Sequence, residues 1–264
     1  MSESIMSRTA LGIDVGGTGI KGAPVNLATG VLTDDRERYP TPQPATPERV
    51  AGALRKMAKE FKWEGPIGIT VPARVRAGTV ETASNIDKAW IGLPAQDYFG
   101  QYLNREVTVL NDADAAGLGE LHFGAARQEN GLVLMLTFGT GIGSALFVNR
   151  TLVPNTELGH LEFRGGIAEK YAANSVRRDK KLSWEDWAKR VQQYLTHLEF
   201  LFAPDVIVVG GGVSKPGRWE QFAPLLKTRA DLRRAEAGND AGIIGAAWAT
   251  TRAESNRVED LTPP

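Results

Sequence analysis

A glycine-rich segment that occurs twice constrains the fold of this 264-residue chain more than any other feature. The apolar run 10–15 is followed by Gly16-Gly-Thr-Gly19 and then by residues that alternate between apolar and polar. This pattern predicts a strand, a tight turn and a second strand. The tetrapeptide Gly17-Thr-Gly-Ile20 returns as Gly139-Thr-Gly-Ile142, at an offset of 122 residues. Such an offset is too long for a solenoid repeat, so we expect two duplicated α/β domains.

The two glycine turns are suited to bind phosphate groups. Glycine lets the backbone approach an anion closely and direct N–H groups toward it. In the first copy, Thr18 adds a hydroxyl group and Lys21 adds a positive charge. The carboxylate of Asp14 precedes the turn, and we expect it to hold, through water, the Mg²⁺ ion that accompanies phosphate. Two such turns would hold a phosphate chain from both sides.

Two other interpretations of the first glycine segment are open. The stretch Gly17-Thr-Gly19-Ile-Lys-Gly22 fits the G-x-G-x-x-G fingerprint of a dinucleotide site, as in a nicotinamide-dependent oxidoreductase. That fingerprint requires a helix directly after the glycines, whereas Pro24 and the turn signal at 28–30 indicate a hairpin. The simplest alternative is a glycine hairpin that binds nothing, which the recurrence of the segment disfavours.

The composition restricts the compartment and the partners. Lys plus Arg and Asp plus Glu each number 31, so overall charge gives no indication of a nucleic-acid partner. The absence of cysteine excludes disulfides and thiolate metal sites. The first eight residues lack the apolar core of a signal peptide, and no apolar run has the length of a membrane span. We therefore expect a cytoplasmic protein with no membrane partner.

A pair of polar residues follows a predicted strand over 107–110 and precedes a predicted helix over 113–123. Asn111 and Asp112 thus stand at the carboxyl end of a strand, where open α/β sheets place their sites. Asp112 is a candidate general base, and the alternative is that it caps the helix. The nearby Asp114 would point to a different side of the helix.

The glycine hairpin in two copies, with Asp14-Val-Gly-Gly-Thr18 in the first, resembles the superfamily of sugar kinases, heat-shock proteins and actin. The stretch Ile13–Lys21, followed later by Glu157-Leu-Gly-His160, resembles the ROK group of sugar kinases. The likeness to the polyphosphate glucokinase branch of that group rests on the blocks 41–47, 109–117, 136–144 and 154–160. The resemblance extends from about residue 10 to about residue 250.

This resemblance implies an α/β protein with the two-domain actin-like (ribonuclease H-like) ATPase fold and a cleft between the domains. The small α/β domain would comprise 1–111 plus about 243–264, and the large α/β domain 112–242. The implied reaction transfers a phosphoryl group from inorganic polyphosphate or ATP to the 6-hydroxyl of glucose, with mannose as a second acceptor and Mg²⁺ as cofactor. The alternatives are an ATP-only ROK hexokinase and a sugar-sensing ROK protein without catalysis. Only about ten residues precede the first hairpin, too few for the helix-turn-helix of a repressor.

The resemblance also implies roles for individual residues. It makes Asp112 the general base. The residues that it places around the sugar are Asn85, Asn111, Asp112, Glu157, His160 and Glu169. The residues that it places around the donor phosphates are Asp14, Gly16, Gly17, Thr18, Lys21, Thr140, Gly141, Gly211 and Gly212. For Glu169 the alternative is an acid on a helix surface, and for Asn85 it is a turn residue.

Two further features are relevant to metal and donor binding. In many ROK proteins the histidine that corresponds to His160 joins a cysteine-rich zinc motif; this chain has no cysteine, so we expect no zinc site. The charged run Val176-Arg-Arg-Asp-Lys-Lys181 is either solvated surface or an attractor of a polyanionic donor. Lys215 and Arg218, beyond the third glycine turn, are candidates for contact with a longer phosphate chain.

Overall fold

The computed structural model describes residues 9–83 and 86–259, with side chains as far as residue 251. Asn85, a predicted sugar ligand, lies outside the described residues. The chain divides into two compact units: the first runs through Gly119 and resumes at Asp240, and the second is Glu120–Asn239. The sequence placed these boundaries near 111 and 243, whereas the first division falls within a helix that continues to Phe123.

The first unit contains a five-stranded sheet and a small hairpin. Its strands are β1 (Thr9–Val15), β2 (Gly19–Asn26), β3 (Glu37–Pro40), β4 (Ile67–Val71), β5 (Val75–Arg76), β6 (Thr79–Val80) and β7 (Val107–Asn111). The sheet order is β3-β2-β1-β4-β7, and β5 pairs only with β6. Strands β1, β2 and β3 are antiparallel, whereas β4 and β7 run parallel to β1. The carboxyl ends of β1, β4 and β7 therefore meet at one edge of the sheet.

The strands of the second unit are β8 (Leu132–Phe138), β9 (Ile142–Val148), β10 (Thr151–Val153), β11 (Glu162–Phe163), β12 (Gly166–Ile167), β13 (Val206–Gly211) and β14 (Asp231–Arg234). Its five-stranded sheet has the order β10-β9-β8-β13-β14, and β11 pairs with β12. Strands β8, β9 and β10 are antiparallel, whereas β13 is parallel to β8 and β14 to β13. The two sheets thus repeat one topology, which confirms the predicted duplication.

The helices connect these strands. The α-helices are α1 (Pro47–Glu60), α2 (Ala95–Leu103), α3 (Asp112–Phe123), α4 (Ala168–Ala172), α5 (Asn174–Asp179), α6 (Trp184–Phe202), α7 (Trp219–Phe222) and α8 (Ala241–Glu259). Short 3-10 helices cover Lys88–Trp90, Leu158–His160, Ala223–Leu225 and Gly238–Asp240. In the part of the chain with described side chains, no helix combines the length and the apolar character that a bilayer crossing requires.

Local sequence signals determine where the longer helices begin. Thr46 caps α1 by accepting the N–H of Arg49, and Pro47 occupies the first turn, where its missing N–H costs nothing. Ser183 caps α6 by accepting the N–H of Asp186 at 3.0 Å. Trp187 lies four residues after this cap and is fully buried in the core of the second unit. Both caps are side-chain bonds to a residue three positions later in the sequence.

Helix α8 packs directly on the sheet of the first unit because two strand glycines leave room for its backbone. A Cβ atom on Gly12 would lie 2.0 Å from the carbonyl oxygen of Ile243, and one on Gly68 would lie 1.8 Å from that of Ala246. At the start of α8, a Cβ on Gly242 would lie 3.3 Å from the carboxyl carbon of Asp14. The helix therefore encloses one side of the strand end that carries Asp14.

Candidate active site

The first glycine turn joins β1 directly to β2, so no helix follows the glycines. The turn is closed by the N–H of Gly16, which donates to the carbonyl of Gly19 at 3.0 Å. The strand after the turn is antiparallel to β1 over its whole length. A dinucleotide fingerprint needs a helix at this position, so the oxidoreductase interpretation of the segment is wrong.

A neighbouring segment holds the carbonyl groups of the first turn. The hydroxyl of Thr41 donates to the carbonyl of Gly16 at 2.5 Å, and the side-chain amide of Gln43 donates to that of Gly17 at 3.4 Å. The N–H groups of Gly17 and Thr18 find no acceptor within the part of the chain that the structure describes. Because both residues are exposed, the turn presents free donors to solvent or to an anion.

Asp14 and Lys21 face each other across β1 and β2 and form an ion pair. The Lys21 Nζ atom lies 2.9 Å from Asp14 Oδ2, and the two residues are register partners. The hydroxyl of Thr70, on β4, donates to Asp14 Oδ1 at 2.8 Å. The Asp14 side chain is 18% exposed, so the carboxylate is held in one position next to the turn.

The Asp14 carboxylate fits an outer-sphere Mg²⁺ site. A carboxylate has about four lone-pair sites, of which Lys21 and Thr70 use two, so acceptors remain for metal-bound water. Within the described residues, no group of three His, Asp or Glu side chains surrounds a common point. Mg²⁺ usually takes one or two carboxylates and completes its shell with water and substrate phosphates, so the single carboxylate of Asp14 suits it.

The start of α3 distinguishes the two candidate bases. The Asn111 side chain caps this helix: its Oδ1 accepts the N–H groups of Ala113 at 2.8 Å and Asp114 at 3.1 Å, and its Nδ2 donates to the carbonyl of Ala73 at 3.1 Å. Asp112 is exposed, although its Oδ1 also lies 2.9 Å from the N–H of Ala113. Asp114 is 2% exposed. Of the two acids, Asp112 is therefore the one that a substrate can reach.

Asn111 was predicted as a sugar ligand and has a clear structural role instead of a free side chain. Its amide bonds connect the end of β7 to the segment after β4 and fix the first turn of α3, where Asp112 lies. One N–H of its amide remains for another acceptor. A contact between Asn111 and a sugar stays a prediction.

The second glycine turn joins β8 to β9 and is one residue shorter than the first. The N–H of Gly139 donates to the carbonyl of Gly141 at 3.0 Å, whereas the corresponding bond of the first copy joins Gly16 to Gly19 and spans one residue more. Ser175 of α5 donates its backbone N–H to the Gly139 carbonyl at 3.0 Å and its hydroxyl to the Thr140 carbonyl at 2.6 Å. In both units, therefore, another segment holds the carbonyl groups of the turn.

Glu169 lies against the second turn. Its Oε2 atom accepts the N–H of Ile142 at 3.3 Å, and a Cβ on Gly141 would lie 2.2 Å from the same oxygen. The side chain is 17% exposed, which argues against an acid on a helix surface. Its position next to Gly141 places a carboxylate beside the predicted phosphate turn of this unit.

The loop that carries Glu157 and His160 also packs against the start of β9. The His160 Nδ1 atom lies 3.1 Å from Glu157 Oε2. Ser144 anchors the loop, because its hydroxyl donates to the carbonyl of Thr156 and accepts the N–H of Leu158 at 2.9 Å. A Cβ on Gly159 would lie 2.1 Å from the carbonyl oxygen of Ile142, so only glycine permits this approach. The second turn, Glu169 and the Glu157–His160 pair are thus brought together within one unit.

The third glycine turn follows β13. Gly211 has a φ of 80° and is the register partner of Phe138, the last residue before the second turn. The Ser214 hydroxyl donates to the Gly211 carbonyl at 2.9 Å, and Arg218 donates to the Gly212 carbonyl at 2.9 Å. The second and third turns therefore lie at neighbouring strand ends.

Sequence reasoning missed the residues that hold these groups in place: Thr41, Gln43, Thr70, Ser144 and Ser175. Thr41 lies in one of the blocks that carry the family resemblance, which is a usable signal. Gln43 and Ser144 lie in such blocks as well, whereas Thr70 and Ser175 have no motif around them. The roles of all five depend on hydrogen bonds to residues between 12 and 56 positions away.

Comparison with known proteins gives the family. The ROK family model matches residues 10–169, more than half of the chain. The polyphosphate glucokinase of Mycobacterium tuberculosis strain H37Rv is 49% identical over 244 residues, which are 92% of this chain and 91% of the relative. A glucokinase of Streptomyces coelicolor is 25% identical over 311 residues, 90% of this chain and 96% of the relative.

Two crystal structures extend the comparison. The inorganic polyphosphate/ATP-glucomannokinase of Arthrobacter sp. strain KM has a TM-score of 0.88 at 43% identity, over 94% of this chain and all of that chain. A ROK family glucokinase from Streptomyces griseus, in complex with glucose and AMPPNP, has a TM-score of 0.77 at 25% identity, over 93% of this chain and all of that one. The chain therefore has the actin-like α/β fold of the ROK sugar kinases, and it belongs to the ROK family.

Proposed function

We propose that this chain is a sugar kinase that transfers a phosphoryl group from inorganic polyphosphate or ATP to the 6-hydroxyl of glucose, with mannose as a second acceptor. The observation that carries the proposal is the pair of glycine turns whose carbonyl groups are held by Thr41 and Ser175. The similarity to polyphosphate glucokinases and to a polyphosphate/ATP-glucomannokinase supports the choice of donor and acceptor.

The donor phosphates would bind to the N–H groups of the turns. Gly16, Gly17 and Thr18 provide this surface in the first unit, and Thr140 with Gly141 provides it in the second. Hydrogen bonds from Thr41 and Ser175 hold carbonyl groups in both turns, and this fixes the backbone that carries the N–H donors. The third turn, at Gly211 and Gly212, would contact the part of the donor remote from transfer.

Mg²⁺ would be held by water molecules on Asp14, and it supplies positive charge that neutralises the transferring phosphates. Lys21 contributes a second positive charge, held 2.9 Å from the same carboxylate. This ion pair restrains the Lys21 side chain and keeps its ammonium group beside the phosphate turn. Phosphoryl transfer asks the protein mainly for positioning and charge stabilisation, which these groups provide.

Asp112 would accept the proton of the attacking hydroxyl. Three features support this role: its side chain is exposed, it occupies the first position of α3, and the buried cap residue Asn111 fixes its backbone. A carboxylate that accepts the hydroxyl proton makes the oxygen a better nucleophile toward phosphorus. The residues proposed to bind and orient the sugar are Asn85, Asn111, Asp112, Glu157, His160 and Glu169.

A donor comparison tests the proposal. The full-length chain is assayed with glucose or mannose and with Mg²⁺-ATP or long-chain polyphosphate, and hexose 6-phosphate is measured directly. We expect turnover of glucose with both donors. Turnover with ATP alone would contradict the polyphosphate donor and support an ATP-only hexokinase. Glucose binding without turnover with either donor would contradict the kinase activity and support a sugar-sensing protein.

A further inference from the structure

A group of basic side chains surrounds the third glycine turn and has no role in the reaction described above. We define the distal basic cluster as Arg177, Arg178 and Arg218. The Arg177 Nε atom donates to Asn174 Oδ1 at 3.2 Å, and a Cβ on Gly212 would lie 4.0 Å from Asn174 Nδ2 and 3.7 Å from an Arg218 guanidinium nitrogen. Asn174 and Gly212 therefore connect the two sides of the cluster.

Among the side chains that the structure describes, none provides an acidic partner for the cluster. No carboxylate of the described residues lies within 4.0 Å of a side-chain nitrogen of Arg177, Arg178 or Arg218. The nearby acid Glu220 accepts the N–H of Gly217 at 2.7 Å and lies 3.7 Å from Arg234 instead. Burial, followed by the charges of Arg218 and Arg178, lowers the pKa of Arg177. The uncompensated positive charge creates a local potential that favours an anion.

Arg177 is held in a fixed orientation. Its guanidinium carbon lies 3.9 Å from the ring centroid of Trp184, a cation–π distance, while its Nε is bonded to Asn174. Arg178 and Arg218 are exposed, so their donors are accessible. Guanidinium groups match phosphate oxygens with two parallel hydrogen bonds, whereas ammonium groups act as point charges. The donor set therefore suits phosphate.

The cluster continues from the donor turns. Helix α5 begins one residue before Ser175, which holds the second turn, and carries Arg177 and Arg178 two and three residues later. At 1.5 Å per residue this is a rise of roughly 3–5 Å. On the other side, Arg218 bonds to the carbonyl of Gly212 in the third turn. The cluster is thus adjacent to both turns of the second unit.

We propose that the distal basic cluster binds the phosphate groups of an inorganic polyphosphate that lie beyond those held at the glycine turns, so that it selects long chains over ATP. This inference rests on the proposed function, because it deepens the donor assignment of the same enzyme. A long polyanion can place more phosphate groups against the cluster than ATP can, and it therefore gains additional charge-assisted bonds. The cluster would therefore lower the KM for long polyphosphate and leave kcat of the transfer step unchanged.

The test compares donors in charge-neutralised variants. The variants are R178Q and the double variant R178Q/R218Q, with K227Q as the control that matches the single charge removed in R178Q. Lys227 is exposed, lies in the same unit, and its backbone bonds to Gln192 rather than to the cluster. We measure kcat/KM for long-chain polyphosphate, tripolyphosphate and ATP at two ionic strengths.

We expect the ratio of kcat/KM for long polyphosphate to that for ATP to fall about tenfold in R178Q/R218Q, and to stay at the wild-type value in K227Q. The preference for long over short polyphosphate and its sensitivity to salt should decrease in parallel. An unchanged ratio, or a larger loss with ATP than with polyphosphate, would overturn the inference. A larger loss with ATP would indicate that the cluster binds the nucleotide donor instead.

The two proposals fail in different ways. If the wild-type enzyme turns over ATP but not polyphosphate, the polyphosphate part of the proposed function is wrong. Equilibrium binding of long-chain polyphosphate to the wild type and to R178Q/R218Q then tests, independently of turnover, whether the cluster binds polyphosphate. Weaker binding by the double variant supports the subsite, and equal affinity overturns it.

Discussion

The hydroxyl of Ser175 donates to the carbonyl of Thr140 at 2.6 Å, and this bond holds the second glycine turn from a helix more than 30 residues away. The backbone N–H of Ser175 holds the preceding carbonyl of Gly139 at 3.0 Å. The turn is therefore supported by a single residue through two bonds. Thr41 has the equivalent position in the first unit, through its bond to Gly16.

Ser175→Ala should weaken donor binding. Loss of the hydroxyl leaves the Thr140 carbonyl without its partner, and a net hydrogen bond is worth about 1 kcal/mol. We expect the KM for both donors to rise about fivefold with little change in kcat. Ser183→Ala is the control, because it removes the cap of α6 and lowers the melting temperature without touching a turn. A donor KM in Ser175→Ala equal to that in Ser183→Ala would contradict the role of Ser175.

Two alanine substitutions within one turn should have opposite outcomes. Gly139→Ala places its Cβ in open space, whereas Gly141→Ala places it 2.2 Å from Glu169 Oε2 and displaces that carboxylate. We expect Gly141→Ala to raise the glucose KM about tenfold or more, while Gly139→Ala keeps a near-normal glucose KM. In the background of Glu169→Ala, the effect of Gly141→Ala should become small. Additive effects in that double variant would show that the clash is not the cause.

Asp112→Asn should abolish most of the turnover while it preserves glucose binding. The amide retains the shape and the hydrogen-bonding reach of the side chain but cannot accept the hydroxyl proton. We expect kcat to fall about 10²-fold or more, with glucose affinity changed little, as measured by calorimetry and steady-state kinetics. A kcat near the wild-type value would refute the assignment of Asp112 as the base.

Asp14→Asn should raise the Mg²⁺ requirement. The substitution removes the negative charge that Lys21 and the proposed metal share, and with it the ion pair between Lys21 and Asp14 at 2.9 Å. We expect the Mg²⁺ concentration for half-maximal rate to rise about tenfold. Thr70→Val serves as the comparison, because it removes one hydrogen bond to Asp14 and keeps the charge. If both variants shift the Mg²⁺ curve equally, the charge of Asp14 is not what binds the metal.

Gly68→Ala should destabilise the first unit strongly. Its Cβ would lie 1.8 Å from the carbonyl oxygen of Ala246 and would push α8 off the sheet. We expect a loss of about 2 kcal/mol or more in the free energy of unfolding. Gly52→Ala, at a position of α1 where the new Cβ meets nothing within 4 Å, should instead stabilise by up to about 1 kcal/mol. Chemical denaturation of both variants measures the difference, and equal stabilities would contradict the packing argument.

Several elements were predictable because their cause is local. The strand–turn–strand pattern of both glycine segments follows from hydrophobic alternation and turn residues, and the structure confirms it at β1–β2 and β8–β9. The caps at Thr46 and Ser183 are side-chain bonds to residues three positions away, which a sequence displays directly.

The amino-acid sequence by itself determined the duplication, the two glycine turns, the helix caps and the family, because each depends on residues that are close in sequence or on a motif that repeats. Only the tertiary structure decided which neighbouring acid is exposed, since Asp112 and Asp114 differ through the packing of α3 and not through their spacing. It also decided that the Asn111 amide reaches the carbonyl of Ala73, and that Ser175 holds the second turn. These roles depend on hydrogen bonds between distant segments, whose approach is set by the packing of whole sheets and helices rather than by local backbone preference.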